Sequence, residues 1–320
     1  MSRIGAKVQQ VIARAGVELI RNSHIADGYW RRWRGDFFDY AQSRGLHILP
    51  VHYYTPVPDT RTLRDSDEAI FAQHIDYRCE QAMQELRQYA EQFQEKFAEI
   101  GSRNEADKRQ FSFQGSPYHP LEAEVLYSTI RSSKPKKIIE IGCGYSTLLI
   151  AEALRDAKHD DPTFGCEYIC YEPFRPSYLD PAPEQVTRFV DKPVQELDCR
   201  TIAELGPGDL LFIDSTHVAA IQSDVVHEYL ALLPALNPGV RIHIHDIFLP
   251  YDYPMNWMHK SRFFWNEQYL LFAYLLGNNG IRVTMPLHYL WRQHEAELRE
   301  RFPSTEKAHM PPSAMWLQTC

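Results

Sequence analysis

The chain has 320 residues and a formal net charge of -8, with 44% hydrophobic, 24% charged and 12% aromatic residues. That length can bury at least one substantial core and leaves room for a main domain plus a smaller accessory one, and the composition excludes a fibrous or disordered chain. The acidic balance argues against a polyanion-binding surface, which needs clustered Lys and Arg to displace counterions, so nucleic acid is not an expected partner.

In chain order, the first 22 residues set Lys7, Arg14 and Arg21 among Ile4, Val8, Val11, Ile12, Leu19 and Ile20, an amphipathic helix with a basic polar side. Two readings are open, contact with a membrane surface or packing on the protein's own body, and the second is preferred. No run of about 18 apolar residues offers a membrane span, so stable membrane insertion is not expected. The basic cluster Arg31-Arg32-Trp33-Arg34 reads as a solvated helix face. Between His47 and Asp59, three prolines forbid helix, and the segment is either a rim of the active site or a stiff surface connection. A long helix is predicted over Asp67–Ile100, where Ile70, Ile75, Met83, Leu86, Tyr89, Phe93 and Phe97 fall near helical spacing. The six cysteines form no CxxC pair and no disulfide-like framework, which points to reduced thiols and a cytoplasmic location.

After Pro120 the pattern changes to short apolar runs alternating with helices, as a parallel sheet covered on both faces requires. Strands are predicted at Lys137–Ile141, Glu167–Tyr171, Val186–Val190, Asp209–Ile213, Val240–His245, Ile281–Met285 and Ala314–Gln318. Helices are predicted near Ser146–Asp156, Ala220–Leu236, Asn266–Leu276 and Arg292–Arg301. The division is therefore a mainly helical N-terminal extension over residues 1–114 and a sheet domain over 115–320.

The run Ile138-Ile-Glu-Ile-Gly-Cys-Gly-Tyr-Ser-Thr147 is a strand entering a glycine-rich turn and then a helix, which lets backbone amides approach a nucleotide-like ligand. The second strand ends in Tyr171-Glu172, where a carboxylate can accept both ribose hydroxyls. A dinucleotide site would want a third glycine beside the pyrophosphate, and GCGYST lacks it. Ser146 and Thr147 either add hydrogen bonds to the ligand or cap the helix. Glu140 is either part of that site or a buried strand-end carboxylate. Here the chain resembles the class I S-adenosylmethionine-dependent methyltransferases, whose first motif reads ExGxG and whose second strand ends in an acid. The resemblance implies that Glu140, Gly142 and Gly144 border the cofactor and that Glu172 holds its ribose. Ser146 and Asp214 are added as cofactor-contact candidates from their own positions in the loop and at the strand end. The fold class that follows is α/β, a Rossmann-like doubly wound sheet, mostly parallel with an antiparallel C-terminal strand, plus the helical extension.

Two later strand ends supply chemistry. Leu210–Ile213 delivers Asp214-Ser-Thr-His217, and Val240-Arg-Ile-His-Ile-His-Asp246 delivers His245 and Asp246 at the same edge of the sheet. His217, His245 and Asp246 are the catalytic candidates. Either the carboxylates hold a divalent cation that acidifies a substrate hydroxyl, or a histidine takes the hydroxyl proton directly. His243 and His227 are read as structural. FIDSTH followed by NPG and HIHDIFLPYDYP resembles a bacterial group related to macrocin O-methyltransferase and cephalosporin hydroxylase-like proteins. Those relatives hold a divalent cation, which implies a metal set of Asp214, His245 and Asp246. His245 stands where one relative has glutamate, which shifts the choice from Mg²⁺ toward a transition metal or no metal.

The aromatic run after Asp246 is a candidate lid or substrate wall, with Tyr251, Tyr253, Trp257 and Arg262 as substrate-contact candidates; the alternative is an aromatic cluster that locks a loop. The expected activity is O-methylation of a hydroxylated small molecule, a sugar or a natural-product precursor. Two alternatives stand beside it, a metal-dependent hydroxylase or accessory protein keeping this fold and an NAD-dependent oxidoreductase. A homo-oligomer is compatible with the apolar N-terminal helix.

Overall fold

The computed structural model describes residues 3–22, 35–47, 49, 51, 55–308 and 310–320. The chain forms two compact units, one of Met1–Asp65 with Met255–Phe264, the other of Ser66–Pro254 with Trp265–Cys320. The first unit contains helices α1 (Arg3–Asn22) and α2 (Gly35–Ser43) and a π turn at Trp257–Ser261. In α1 the apolar residues Val11, Ile12, Val17 and Leu19 are exposed. The Arg31–Arg34 cluster and residues 48, 50 and 52–54 of the proline-rich segment lie outside the described residues.

The second unit is built on a seven-stranded sheet: β1 (Lys137–Ile141), β2 (Glu167–Tyr171), β3 (Arg188–Val190), β4 (Leu210–Ile213), β5 (Arg241–His245), β6 (Ile281–Pro286) and β7 (Ala314–Thr319). Their order across the sheet is β3-β2-β1-β4-β5-β7-β6, parallel throughout except that β7 runs antiparallel to both β5 and β6. This is the predicted sheet. The direction in which successive strands are added reverses between β1, from which the chain steps outward to β2 and β3, and β4, from which it steps the other way to β5, and in such sheets a crevice forms at the carboxyl ends of those two strands.

Alternating side chains bury both faces. Ile138, Tyr168, Leu210 and Phe212 join one core cluster, and Ile139, Ile141, Ile169, Leu211, Ile213, Ile242 and Ile244 join the other. Such two-sided burial is why the strands read as continuous apolar runs. The first face is covered by α3 (Cys79–Gly101), α4 (Pro120–Ser133), α5 (Tyr145–Asp160) and α9 (Leu287–Arg301); Leu86, Phe93, Leu126, Leu149 and Leu290 pack into its cluster. On the other face lie the single turns α6 (Cys199–Ile202) and α7 (Asp224–His227) and the helix α8 (Glu267–Leu275), which contribute Ile202, Val225 and Leu271. Thus α3, which precedes residue 115, shares a core with the sheet.

Three elements differ from the sequence reading. The helix predicted from Asp67 begins only at Cys79, because His74 (φ 71) and Arg78 (φ 49) take left-handed backbone that ends helical continuation on their N-terminal side. Phe71 and Ile75 instead pack as an irregular segment against the second cluster, and the Tyr77 hydroxyl donates to the Phe71 carbonyl at 2.8 Å. The helix predicted over Ala220–Leu236 is broken into α7, a π turn at Glu228–Leu232 and a 3₁₀ turn at Leu233–Ala235; Pro234 has no amide to donate and its ring opposes regular α geometry. Finally, α4 was not foreseen. All its residues from Pro120 to Ile130 are buried, which removes the polar stripe by which a helix is recognised in sequence.

Because α3 completes the core over the sheet, Leu86→Ala is expected to cost about 2–5 kcal/mol of unfolding free energy. Ile70→Ala, at a half-exposed position, should stay within about 0.5 kcal/mol. Urea denaturation of the two variants checks this, and equal effects would detach α3 from the core.

Candidate active site

The loop after β1 is fixed from inside the protein. The Glu140 carboxylate is fully buried and accepts hydrogen bonds from Ser146 Oγ at 2.7 Å, Thr147 Oγ1 at 2.8 Å and the Tyr168 hydroxyl. Burial lifts its carboxyl to about 7, against the pull of those hydroxyls. Glu140 and Ser146 therefore tie the loop to the first turn of α5 and face inward. Gly142 lies at φ +80, and a Cβ there would stand 1.8 Å from the Asp214 carbonyl oxygen. Only glycine fits, because the backbone of the loop crosses the end of β4 at contact distance. The crossing is pinned by the Asp214 amide donating to the Ile141 carbonyl at 2.9 Å. Gly144 is different: a Cβ there would meet only the Tyr178 hydroxyl at 3.5 Å. A methyl group at Gly144 would be in ordinary van der Waals contact and displace nothing.

Glu172, at the end of β2, accepts from the Cys143 amide at 3.3 Å and the Phe174 amide at 2.7 Å, so its carboxylate is held at the mouth of the loop. Tyr145 and Tyr178 stack beside it with ring centroids 4.8 Å apart.

The ends of β4 and β5 bring four side chains together. Asp214, His217, His245 and Asp246 each offer one atom to a set lying within 4.8 Å of one another. His217 Nε2 lies 3.3 Å from Asp214 Oδ1 and 3.5 Å from Asp246 Oδ2; His245 Nδ1 lies 3.2 Å and 3.5 Å from the same two oxygens. His217 and Asp246 both have left-handed backbone, φ 61 and 54. Such strain costs on the order of 1 kcal/mol or more per residue and persists only where surrounding structure imposes it. The His217 carbonyl accepts from the Asn266 and Glu267 amides at 3.1 and 3.2 Å, and the Trp265 ring lies 4.4 Å from the imidazole.

Each imidazole is also held from behind by a buried carboxylate. His217 Nδ1 pairs with Glu267 Oε2 at 2.8 Å, and Glu267 Oε1 accepts from the Tyr229 hydroxyl at 3.0 Å. His245 Nε2 pairs with Glu122 Oε2 at 3.1 Å, and Tyr118 stacks on its ring at 5.0 Å. Ser313 joins the two sides, its hydroxyl donating to Asp246 Oδ1 at 2.8 Å and its amide to Glu122 Oε1. Burial disfavours every charge here, but the mutual contacts prevail. The neighbouring imidazoles hold the Asp214 carboxyl far below the usual carboxylate range, and Asp214 and Glu267 raise His217 to about 10. His245 is raised and Asp246 lowered by the same opposition of charges. The cluster opens outward through Asp214, whose side chain is 30% exposed against 6% for His217.

Glu122, Glu267, Ser313 and Tyr118 were not singled out in sequence. Glu122 had a legible signal, since His119-Pro120-Leu121-Glu122 places proline at the first helical position and an acid at the third. His119 caps α4 by accepting from the Leu121 amide at 3.1 Å, and Glu122 answers by accepting from the His119 amide at 3.2 Å. His243 stacks on Phe212 at 4.3 Å and contacts the Tyr118 hydroxyl at 3.2 Å, a packed interior residue as read.

Of the wall candidates, Tyr253 is buried, accepts from the Gln268 amide at 3.1 Å and packs edge-on against Phe248. Tyr251 is capped by the Arg292 guanidinium at 4.5 Å. Both are fastened within the second unit. Trp257 and Arg262 belong to the first unit, where Trp257 meets Phe263 edge-on and Arg262 donates to the Met258 carbonyl at 3.4 Å.

A family model described as "Methyltransferase domain" matches residues 139–247, the stretch that contains Glu140, Gly142, Gly144, Glu172, Asp214, His217, His245 and Asp246. An uncharacterized protein of Archaeoglobus fulgidus is 25% identical over 178 residues, covering 52% of this chain and 76% of that protein. Among solved structures, the SAH-bound Podospora anserina methyltransferase PaMTH1 is similar, with a TM-score of 0.39 and 17% identity over 81% of this chain and 99% of that one. The MycE methyltransferase from the mycinamycin biosynthetic pathway, in complex with Mg, SAH and mycinamycin VI, gives 0.36 and 14% over 67% of this chain and 53% of its own.

Gly142→Ala is expected to destabilise the fold by about 2 kcal/mol or more, since it combines a disfavoured φ with a backbone clash. Gly144→Ala should leave the melting temperature near wild type. A thermal scan of both reads the difference directly, and an unaffected Gly142 variant would contradict the close crossing.

Proposed function

We propose that this chain is an S-adenosylmethionine-dependent O-methyltransferase acting on a hydroxylated small molecule, a sugar or natural-product precursor, with a divalent cation at Asp214, His245 and Asp246. The observation that carries this reading is the contact between the loop after β1 and Asp214, which sets the glycine-rich loop and the cluster of two carboxylates and two imidazoles side by side at one edge of the sheet. The methyltransferase-domain match over residues 139–247 supports it. So does Gly144, whose position in the loop after β1 matches the second glycine of the ExGxG motif. Glu172, fixed by two amides, keeps further lone pairs for ribose hydroxyls.

When bound, S-adenosylmethionine supplies an electrophilic methyl group on a sulfonium, which leaves as a neutral thioether once the methyl has moved to oxygen. The residues of the chain then have three tasks: to align the hydroxyl, to exclude water and to take the proton it loses. Asp214 is the exposed member of the cluster and meets the hydroxyl first. In its neutral form His217, raised to about 10 by Asp214 and Glu267 against the effect of burial, takes that proton, and Asp214 and Asp246 hold the imidazolium that results. Glu267 and Glu122 fix the ring orientations and compensate positive charge on either imidazole. A cation between Asp214 and Asp246 would lower the hydroxyl's own pKa. The buried His245 Nδ1, which has no hydrogen-bond partner of good geometry, fits such an ion.

Asp246→Ala is expected to lower turnover at least 100-fold with labelled S-adenosylmethionine while the cofactor Kd stays within threefold. Glu172→Ala should raise that Kd tenfold or more. Full methyl transfer by the Asp246 variant would remove the cluster from the reaction.

A further inference from the structure

We infer that His217 is a fourth ligand and that Asp214, His217, His245 and Asp246 together hold one transition-metal dication in preference to Mg²⁺. This builds on the metal position proposed above at Asp214, His245 and Asp246.

The first argument is spacing. Nitrogen and oxygen donors lying about 2.0–2.1 Å from a four-coordinate ion stand about 3.3–3.4 Å apart along the edges of the tetrahedron. The four cross-distances between the imidazole nitrogens and carboxylate oxygens are 3.2, 3.3, 3.5 and 3.5 Å. They are longer than good charge-assisted hydrogen bonds, which run about 2.7–2.9 Å. The four groups surround a point more closely than they bond to one another.

The second argument is His245 Nδ1. It is buried and lies 3.2 Å from Asp214 Oδ1 without making a hydrogen bond of good geometry, while its ring is held firmly at Nε2 by Glu122, which leaves that nitrogen available to an ion.

The third is the outer carboxylates. Glu267 on His217 Nδ1 and Glu122 on His245 Nε2 orient both rings so that the remaining nitrogen of each faces Asp214 and Asp246. A carboxylate behind each ligating histidine is the recurrent support of metal-bound imidazole. It also fixes which nitrogen is free, Nε2 for His217 and Nδ1 for His245.

Donor chemistry selects the ion. Mg²⁺ prefers six oxygens and near-octahedral geometry, whereas two imidazoles with two carboxylates suit Zn²⁺, Co²⁺, Fe²⁺ or Ni²⁺. The partial exposure of Asp214 leaves one side on which a substrate hydroxyl can approach the ion.

The test uses the whole chain, stripped with chelator and then offered Co²⁺, Zn²⁺ or Mg²⁺ separately. Elemental analysis after gel filtration should find one Co²⁺ or Zn²⁺ per chain and less than a tenth of that for Mg²⁺. The Co²⁺ form should show the strong visible absorption of a four- or five-coordinate site. Glu267→Gln and Glu122→Gln, both near-isosteric, should each weaken Co²⁺ binding about 10–100-fold with unchanged circular dichroism. Retention of Mg²⁺ as strong as Co²⁺, absence of any retained ion in the folded wild-type chain, or full Co²⁺ affinity in both glutamine variants would overturn the inference. Calorimetry of the stripped chain with S-adenosylmethionine is run alongside. Tight Co²⁺ without cofactor binding would defeat the methyltransferase reading and leave the metal site standing.

Discussion

The arrangement depends on the close crossing of the loop after β1 over the end of β4. Gly142 approaches the Asp214 carbonyl so nearly that a methyl group cannot be placed between them. One backbone contact thereby fixes the distance between two halves of a site that come from segments about 70 residues apart. The parallel order β1-β4-β5 makes the crossing possible, because all three strands end at the same edge and the direction of strand addition switches between β1 and β4. The Glu140 hydroxyl network keeps the loop from relaxing away from it.

The second constraint is electrostatic. Four carboxylates converge on two imidazoles in a region that water reaches mainly at Asp214. A buried charge is tolerated only when paired and hydrogen-bonded, so each group depends on the next. Glu122 is reached through the buried helix α4 and Glu267 through the first turn of α8. The cluster at the sheet edge is therefore supported by helices on both faces, and a change to either glutamate acts on it without altering any of its four side chains.

The sheet was legible because parallel strands buried on both faces leave unbroken apolar runs, and Asp214, His245 and Asp246 could be placed at its edge because each follows a strand. Period-two spacing also put His243 and His245 on one side, where Tyr118 stacks on His245 and reaches His243 with its hydroxyl. What escaped was whatever lacks a surface. Helix α4 has no polar stripe, so Glu122 read as an ordinary acid despite the proline-and-acid start of its helix. Glu267 sits 50 residues from His217, and only the folded chain joins them. The aromatic run after Asp246 promised a ligand wall from composition, yet Tyr251 and Tyr253 are engaged by Arg292, Phe248 and Gln268. Composition carries no information on which face of a ring is already occupied.

The central claim is that the loop after β1, with Gly144 and Glu172, binds S-adenosylmethionine. Calorimetric titration of the wild-type chain with S-adenosylmethionine and, separately, with NAD tests it most directly. One S-adenosylmethionine bound per chain, with no heat from NAD, is the result this account predicts; binding of NAD alone would contradict it.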